Sequence, residues 1–242
     1  MFARLMLGNE KLWSCKPTGT SSPHPDVQVW AAWLDLTDTA LAEFRSTLSN
    51  QEQERAARFG SHQARIRFVA ARGYLRAILG ACLGSRPQDI EFACGPKGKP
   101  SLCGALSHSG LQFNLAHSGD LAVFAVALHG VVGIDVEQIR PIPELPAMIE
   151  QFYSARECAH LKQLSGEEQL TAFLKIWTKK EAWLKASGDG LTDMLKSLEV
   201  LSRPGERVLS VKQPDSPAGA GFRLHELAPA PGYIGALAVT PP

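Results

Sequence analysis

Residues 121–137 read LAVFAVALHGVVGIDVE, and the architecture turns on where this run is cut. LAVFAVAL (Leu121–Leu128) reads as a strand closed by the pair His129-Gly130, and VVGIDVE (Val131–Glu137) opens a new strand. Upstream lie a short strand around Leu111–Leu115 and a helix over His62–Leu83. At roughly 100° per residue, Phe68, Ala71, Leu75, Ile78, Leu79 and Cys82 of that helix gather on one stripe. A helix capped by Thr37/Asp38 and running through Leu48 precedes it, after a strand VQVWAAWLDL (Val27–Leu36). Downstream of the cut the same order returns. VVGIDVE is followed by helical stretches near Leu145–Leu164 and Glu167–Ser187. Strands follow around Leu198–Leu201, Val208–Val211, Phe222–Leu227 and Tyr233–Val239. Strand, two helices and several strands thus occur twice. The pattern predicts an α+β fold of two similar halves, 27–129 and 130–242, related by a pseudo-two-fold, with the active site at their seam. Residues 1–26, ending in SCKPTGTSSPHPD, read as a flexible leader.

Composition narrows the function. With 45% hydrophobic and 20% charged residues, the 242-residue chain is an ordinary globular one. Lys+Arg total 25 against 24 Asp+Glu, so no overall field draws it to nucleic acid. No apolar run is long enough to span a membrane, and Met1–Leu7 lacks the apolar segment of a secretory signal. The five cysteines (Cys15, Cys82, Cys94, Cys103, Cys158) form no C-x-x-C pair and no zinc spacing with a histidine, which fits a reducing compartment. A cytoplasmic protein is expected.

Four segments bear chemistry. In GIDVE, period two puts Asp135 and Glu137 on one face and Ile134 and Val136 on the other. Two such acids are either the wet face of an edge strand or oxygen ligands for Mg²⁺ beside a phosphate. In FLKIWTKKEAWLK (Phe173–Lys185), a good helix by propensity, Lys180 and Glu181 fall inside the apolar arc formed by Trp183, Ile176, Phe173, Leu184, Trp177 and Leu174. That placement predicts a carboxylate and an ammonium brought into a shared cleft. Glu181 also stands four residues before Lys185, on one face. His117 sits in a polar turn after FNLAHS (Phe113–Ser118), and GPKGKP (Gly95–Pro100) is a turn with two ammonium groups. Arg65, Arg72 and Arg76 share one edge of the His62–Leu83 helix, as would a basic wall beside a cleft. Walker A, G-x-G-x-x-G, H-E-x-x-H and G-x-S-x-G motifs are all missing.

Taken in order, GKP (Gly98–Pro100), FNLAHS, GIDVE and FYSARE…FLKIWTKKEAWLKASGDGL (Phe152–Leu191) resemble the 4'-phosphopantetheinyl transferase superfamily, in its larger, two-halved (surfactin-synthetase-activating) type. The resemblance covers about Leu48 to Leu191. It implies transfer of the phosphopantetheine arm of coenzyme A to a serine of an acyl, polyketide or peptidyl carrier protein, with release of 3',5'-ADP, by a monomeric enzyme. By position it implies that Asp135, Glu137 and Glu181 hold Mg²⁺ and that Lys185 acts on the departing phosphate. Glu181, directly or through water, would take the serine proton. It places Lys99, Arg67 and His117 on the nucleotide phosphates, with Arg55 beside them, and makes Glu157 a carboxylate supporting the site. Ala116 and Glu52 depart from the family's usual hydroxyl and basic residues. The apolar stretch PIPELPAMI (Pro141–Ile149) points to Met148 and Ile149 as contacts for the carrier, or else as packing between loop and helix.

Overall fold

A strand flanked on both faces by apolar layers can be apolar throughout, and two strands of this chain are. In the computed structural model, which describes residues 12–14, 27–95, 98–188, 195–201, 208–212 and 221–240, β6 (Leu121–Ala127) and β10 (Tyr233–Val239) are buried at every position. Each lies at the centre of one sheet. The first has the order β1-β2-β6-β5, with β1 at Leu12–Ser14, β2 at Val27–Trp33 and β5 at Gln112–Ser118. The second has the order β7-β10-β9-β8, with β7 at Val132–Gln138, β8 at Val208–Lys212 and β9 at Gly221–Leu227. All neighbours are antiparallel. In both sheets the first long strand of the half pairs with its last, which pairs with the one before it.

Period two sorts each strand between two cores. Leu121, Val123, Ala125 and Ala127 of β6 meet Val132, Ile134 and Val136 of β7 and Leu237 and Val239 of β10 in a core between the sheets. Ala122, Phe124 and Val126 turn the other way, onto α3 (His62–Leu83). Ile234, Ala236 and Ala238 of β10 likewise turn onto α6 (Gly166–Ser187). The layers therefore run α3, first sheet, second sheet, α6. Burying Phe124 or Trp183, neither of which has exposed surface, contributes on the order of 2–3 kcal/mol each.

Shorter helices brace the long ones. They are α1 (Asp38–Thr47), α2 (Asn50–Ala57), α4 (Leu145–Phe152) and α5 (Ala155–Leu161). Two of them begin with a capping box: Ser49 with Glu52 on α2, and Ser154 with Glu157 on α5. A separate hairpin, β3 (Phe92–Cys94) with β4 (Pro100–Leu102), carries the GPKGKP turn.

Several sequence expectations change here. The stretch Leu145–Leu164 is two helices, because Ser154 caps a new one after Tyr153 leaves helical conformation. Leu198–Leu201 is not a strand; Leu198 and Val200 are buried in irregular chain, and the Val200 N–H donates to Glu157. Arg72 and Arg76 form no basic wall. Both are buried on Glu52, Arg72 at 3.2 Å and Arg76 at 2.6 Å, since a cation inside a half must be paired. Glu52 therefore belongs to this internal pairing. Ile149 is buried in the second-half core and half-buried Met148 packs against it, so both side chains hold α4 in place, as the packing alternative expects. Within the expected leader, Leu12–Ser14 pairs with β2; the rest of residues 1–26, including Cys15, lies outside the described residues. Cys82, Cys94, Cys103 and Cys158 are free thiols.

Candidate active site

Gly133 explains how the site closes. A Cβ on this residue would run into the carbonyl oxygen of Ala182 and the amide nitrogen of Ala186, so the α6 backbone lies directly on β7 at this point. On the α6-facing side of β7, Gly133 is followed by Asp135 and then Glu137, while Ile134 and Val136 enter the core between the sheets. Glu181 and Lys185, which immediately precede those two α6 residues, come down beside Asp135. The Lys185 ammonium donates to Asp135 Oδ1 at 2.6 Å.

The first half supplies the opposite wall. β5 lies beside β7, and side chains bond the two edges together. Asn114 Oδ1 accepts the Ile134 N–H at 2.9 Å. Ser118 Oγ accepts the Gln138 N–H at 3.1 Å and donates to Glu137 Oε2 at 2.6 Å. His117 projects from the same strand. Arg67 reaches over from α3, its Nε donating to Asp120 Oδ1 at 2.8 Å in the β5–β6 turn.

Three carboxylates, two cations and an imidazole thus lie close enough to influence one another, and their proton affinities record it. Burial, reinforced by Glu137 and Glu181 against the pull of Lys185, pushes the Asp135 carboxyl up to about 7. Burial raises Glu181 too; Lys185 opposes that rise and Glu137 adds to it. His117 is open to solvent on one side. Desolvation of its ring by the cleft wall, with Lys185 and Arg67 nearby, nevertheless holds the imidazole below its usual value.

Asp135 Oδ2 and Glu181 Oε1 are buried without a hydrogen-bond partner among the described residues. Buried carboxylate oxygens need donors or a cation. Two such oxygens from adjacent elements, with Glu137 beyond, make a donor set that fits a hard cation such as Mg²⁺. The set is not drawn closed: among the described residues no group of three or more His, Cys, Asp or Glu is arranged as a metal cage.

The sequence profile of the 4'-phosphopantetheinyl transferase superfamily matches residues 131–232, and that of the 4'-phosphopantetheinyl transferase N-terminal region matches residues 31–129. The 4'-phosphopantetheinyl transferase HetI of Nostoc sp. (strain PCC 7120) is 38% identical over 94% of this chain and 93% of its own. Sfp of Bacillus subtilis (strain 168), another 4'-phosphopantetheinyl transferase, is 26% identical over 86% of this chain and 89% of its own. The 4'-phosphopantetheinyl transferase psf-1 of Bacillus pumilus is 37% identical over 59% of this chain and 58% of its own. The chain belongs to the 4'-phosphopantetheinyl transferase superfamily.

In this phosphopantetheinyl transferase the residues singled out in the sequence fall into two groups. Asp135, Glu137, Glu181, Lys185, His117 and Arg67 converge at the seam. Arg55 stays exposed on α2, its guanidinium 5.2 Å from the Phe68 ring centroid. Lys99, expected on phosphates, donates instead to three backbone carbonyls at the end of α6 and the start of β7. Lys180 and Glu157 leave the cleft altogether and pair at 2.6 Å, without exposed surface, inside the second half. Asn114, Ser118 and Asp120 also bond at this seam. These stood in plain sight in FNLAHSGD, but a polar residue in a turn gives no hint of which strand of the other half it will meet. No helix among the described residues is long and apolar enough to cross a membrane.

Proposed function

We propose that this transferase moves the 4'-phosphopantetheine arm of coenzyme A onto a serine hydroxyl of an acyl, polyketide or peptidyl carrier protein. The serine oxygen forms a bond to the phosphorus next to the arm, the bond from that phosphorus to the bridging oxygen breaks, and 3',5'-ADP departs. The observation that supports this best is the pair of buried, partnerless oxygens of Asp135 and Glu181 beside the Lys185 ammonium. Such phosphorus chemistry asks mostly for positioning and charge neutralisation.

Asp135, Glu137 and Glu181 would hold Mg²⁺, which when bound supplies charge neutralisation to the pyrophosphate. Ser118 fixes Glu137 by accepting and donating hydrogen bonds at one oxygen. Lys185 stands where negative charge builds on the leaving oxygen. Glu181, whose raised proton affinity suits a base, takes the serine proton directly or through one water. Arg67 and neutral His117 line the wall that faces the nucleotide phosphates, with Arg55 at its outer edge. We further read the enzyme as a cytoplasmic monomer.

The test is incubation of purified protein with Mg²⁺, coenzyme A and a panel of apo-carriers, read by mass as gain of the arm on serine. Asp135→Ala should reduce transfer at least about 10³-fold with the fold intact by circular dichroism. Wild-type turnover by a folded Asp135→Ala protein would remove the assignment, as would release of free phosphopantetheine without any protein acceptor.

A further inference from the structure

The last carbonyls of a helix have no partner within it. At the end of α6 the Gly188 N–H donates to the Leu184 carbonyl, with Gly188 itself in left-handed conformation at φ +80°. Among the carbonyls beyond Leu184 are those of Lys185 and Ala186. The Lys185 side chain does not serve them, because it is turned to Asp135. The ammonium that does comes from the other half of the molecule. Lys99 Nζ donates to the Lys185 carbonyl at 2.6 Å, to the Ala186 carbonyl at 3.4 Å and to the Val132 carbonyl at 3.4 Å.

A lysine ammonium has three N–H donors. All three are matched to carbonyls here, and none remains for a phosphate oxygen. The turn that presents Lys99 is itself shaped for the task. Its Gly95 N–H donates to the Lys99 carbonyl at 3.0 Å, and Gly98, at φ +80°, donates to the Gly95 carbonyl at 2.8 Å. The three acceptors lie at the crossing where Gly133 lets α6 rest on β7. A positive charge at a helix C-terminus is also favoured by the helix dipole.

We propose that Lys99 is a positioning residue: it caps the catalytic helix from across the seam and so fixes Lys185 and Glu181 relative to Asp135. Its part in the reaction is therefore in the chemical step and not in grip on the nucleotide. The inference rests on the transfer reaction proposed above for its kinetic readout, and on the structure alone for its physical one. Without the cap the last turn of α6 frays, and the Lys185 ammonium loses the backbone that places it. A misplacement of about 1 Å at such a group costs on the order of 10²-fold in rate.

The test compares wild type, Lys99→Met, Lys99→Arg and Arg67→Met. Transfer to an apo-carrier is followed with coenzyme A and with 3'-dephospho-coenzyme A as donor, and hydrogen–deuterium exchange is followed for the peptide 183–188. Lys99→Met keeps the apolar stem and removes the donors. It should lower kcat about 10- to 100-fold with KM for coenzyme A within about twofold, and lose the same factor with the dephospho donor. Lys99→Arg should recover part of kcat, and peptide 183–188 should exchange several-fold faster in Lys99→Met while peptides of α3 do not change. A rise of tenfold or more in KM for coenzyme A at unchanged kcat, absent with the dephospho donor, would make Lys99 a phosphate ligand and overturn the proposal. Unchanged exchange at the end of α6 would overturn it as well. If the wild-type protein transfers nothing, the reaction assignment fails, and the exchange measurement still decides whether Lys99 caps the helix.

Discussion

Asp135 is held in surroundings that do not favour its charge. It is 5% exposed, and burial together with Glu137 and Glu181 pushes its carboxyl up to about 7. In the unfolded chain it titrates near the ordinary aspartate value of about 3.9. Between these values the folded state binds the extra proton, so stability falls as pH rises through that window. In EDTA at pH 8, Asp135→Asn should therefore be more stable than wild type by on the order of 1–3 kcal/mol, with little gain at pH 4. Denaturant unfolding at the two pH values checks this, and an equal effect at both would refute it. The pairing of Asp135 with Glu137 was legible in the sequence because strand period is two whatever the fold. The role of Ser118 was not, because its bond to Glu137 crosses between strands that the sequence cannot set side by side.

Gly133 and the two capping boxes decide how the long helices sit. Gly133→Ala inserts a methyl against the α6 backbone, which neither rotamer change nor solvent can relieve. A loss of about 1–3 kcal/mol is expected, together with reduced transfer, because α6 carries Glu181 and Lys185. The boxes do more than start α2 and α5. Glu52 also pairs with Arg76 of α3 at 2.6 Å, and Glu157 with Lys180 of α6 at 2.6 Å. Each cation continues to backbone carbonyls, Arg76 to Pro87 and Ile90, and Lys180 to Phe152 and Leu195. The same brace is built twice. Lys180→Met leaves Glu157 charged and unpaired in a dry interior. It should cost about 3–5 kcal/mol in chemical unfolding, while the folded fraction keeps its kcat; a neutral substitution would contradict the pairing. Neither capping box is read from the sequence: S-N-Q-E carries no expected helix start, and a single expected helical stretch runs through S-A-R-E. The helical wheel puts Lys180 and Glu181 together in one cleft; of the two only Glu181 faces the seam, and Lys180 turns into the second half to meet Glu157.

The halves repeat their order of elements but not their chemistry. Both long helices have 22 residues, and counted from the first residue Ala77 and Ala81 of α3 have the ordinal positions of Glu181 and Lys185 in α6. Counted in the same way, Trp30 and Ala32 of β2 correspond to Asp135 and Glu137 of β7. Among the described residues the first half has no carboxylate at the positions that correspond to Asp135, Glu137 and Glu181, so titration calorimetry should find one coenzyme A per chain; two equivalent sites would be incompatible with this arrangement. The seam is held by the core between the sheets and by Asn114, whose Oδ1 takes the Ile134 N–H in a buried place. Asn114→Ala should destabilise the protein by about 1–3 kcal/mol, read as a lower midpoint of a single transition.

In a symmetric dimer every substitution appears on both copies, so a group cannot be removed from one and kept on the other. Joined end to end, the two halves of this protein escape that rule. The first half contributes Arg67, His117 and Lys99, while the second contributes Asp135, Glu137 and Glu181. Each side of the seam can then carry its own substitutions, apart from contacts such as that of Lys99 with α6, which tie one half to the other.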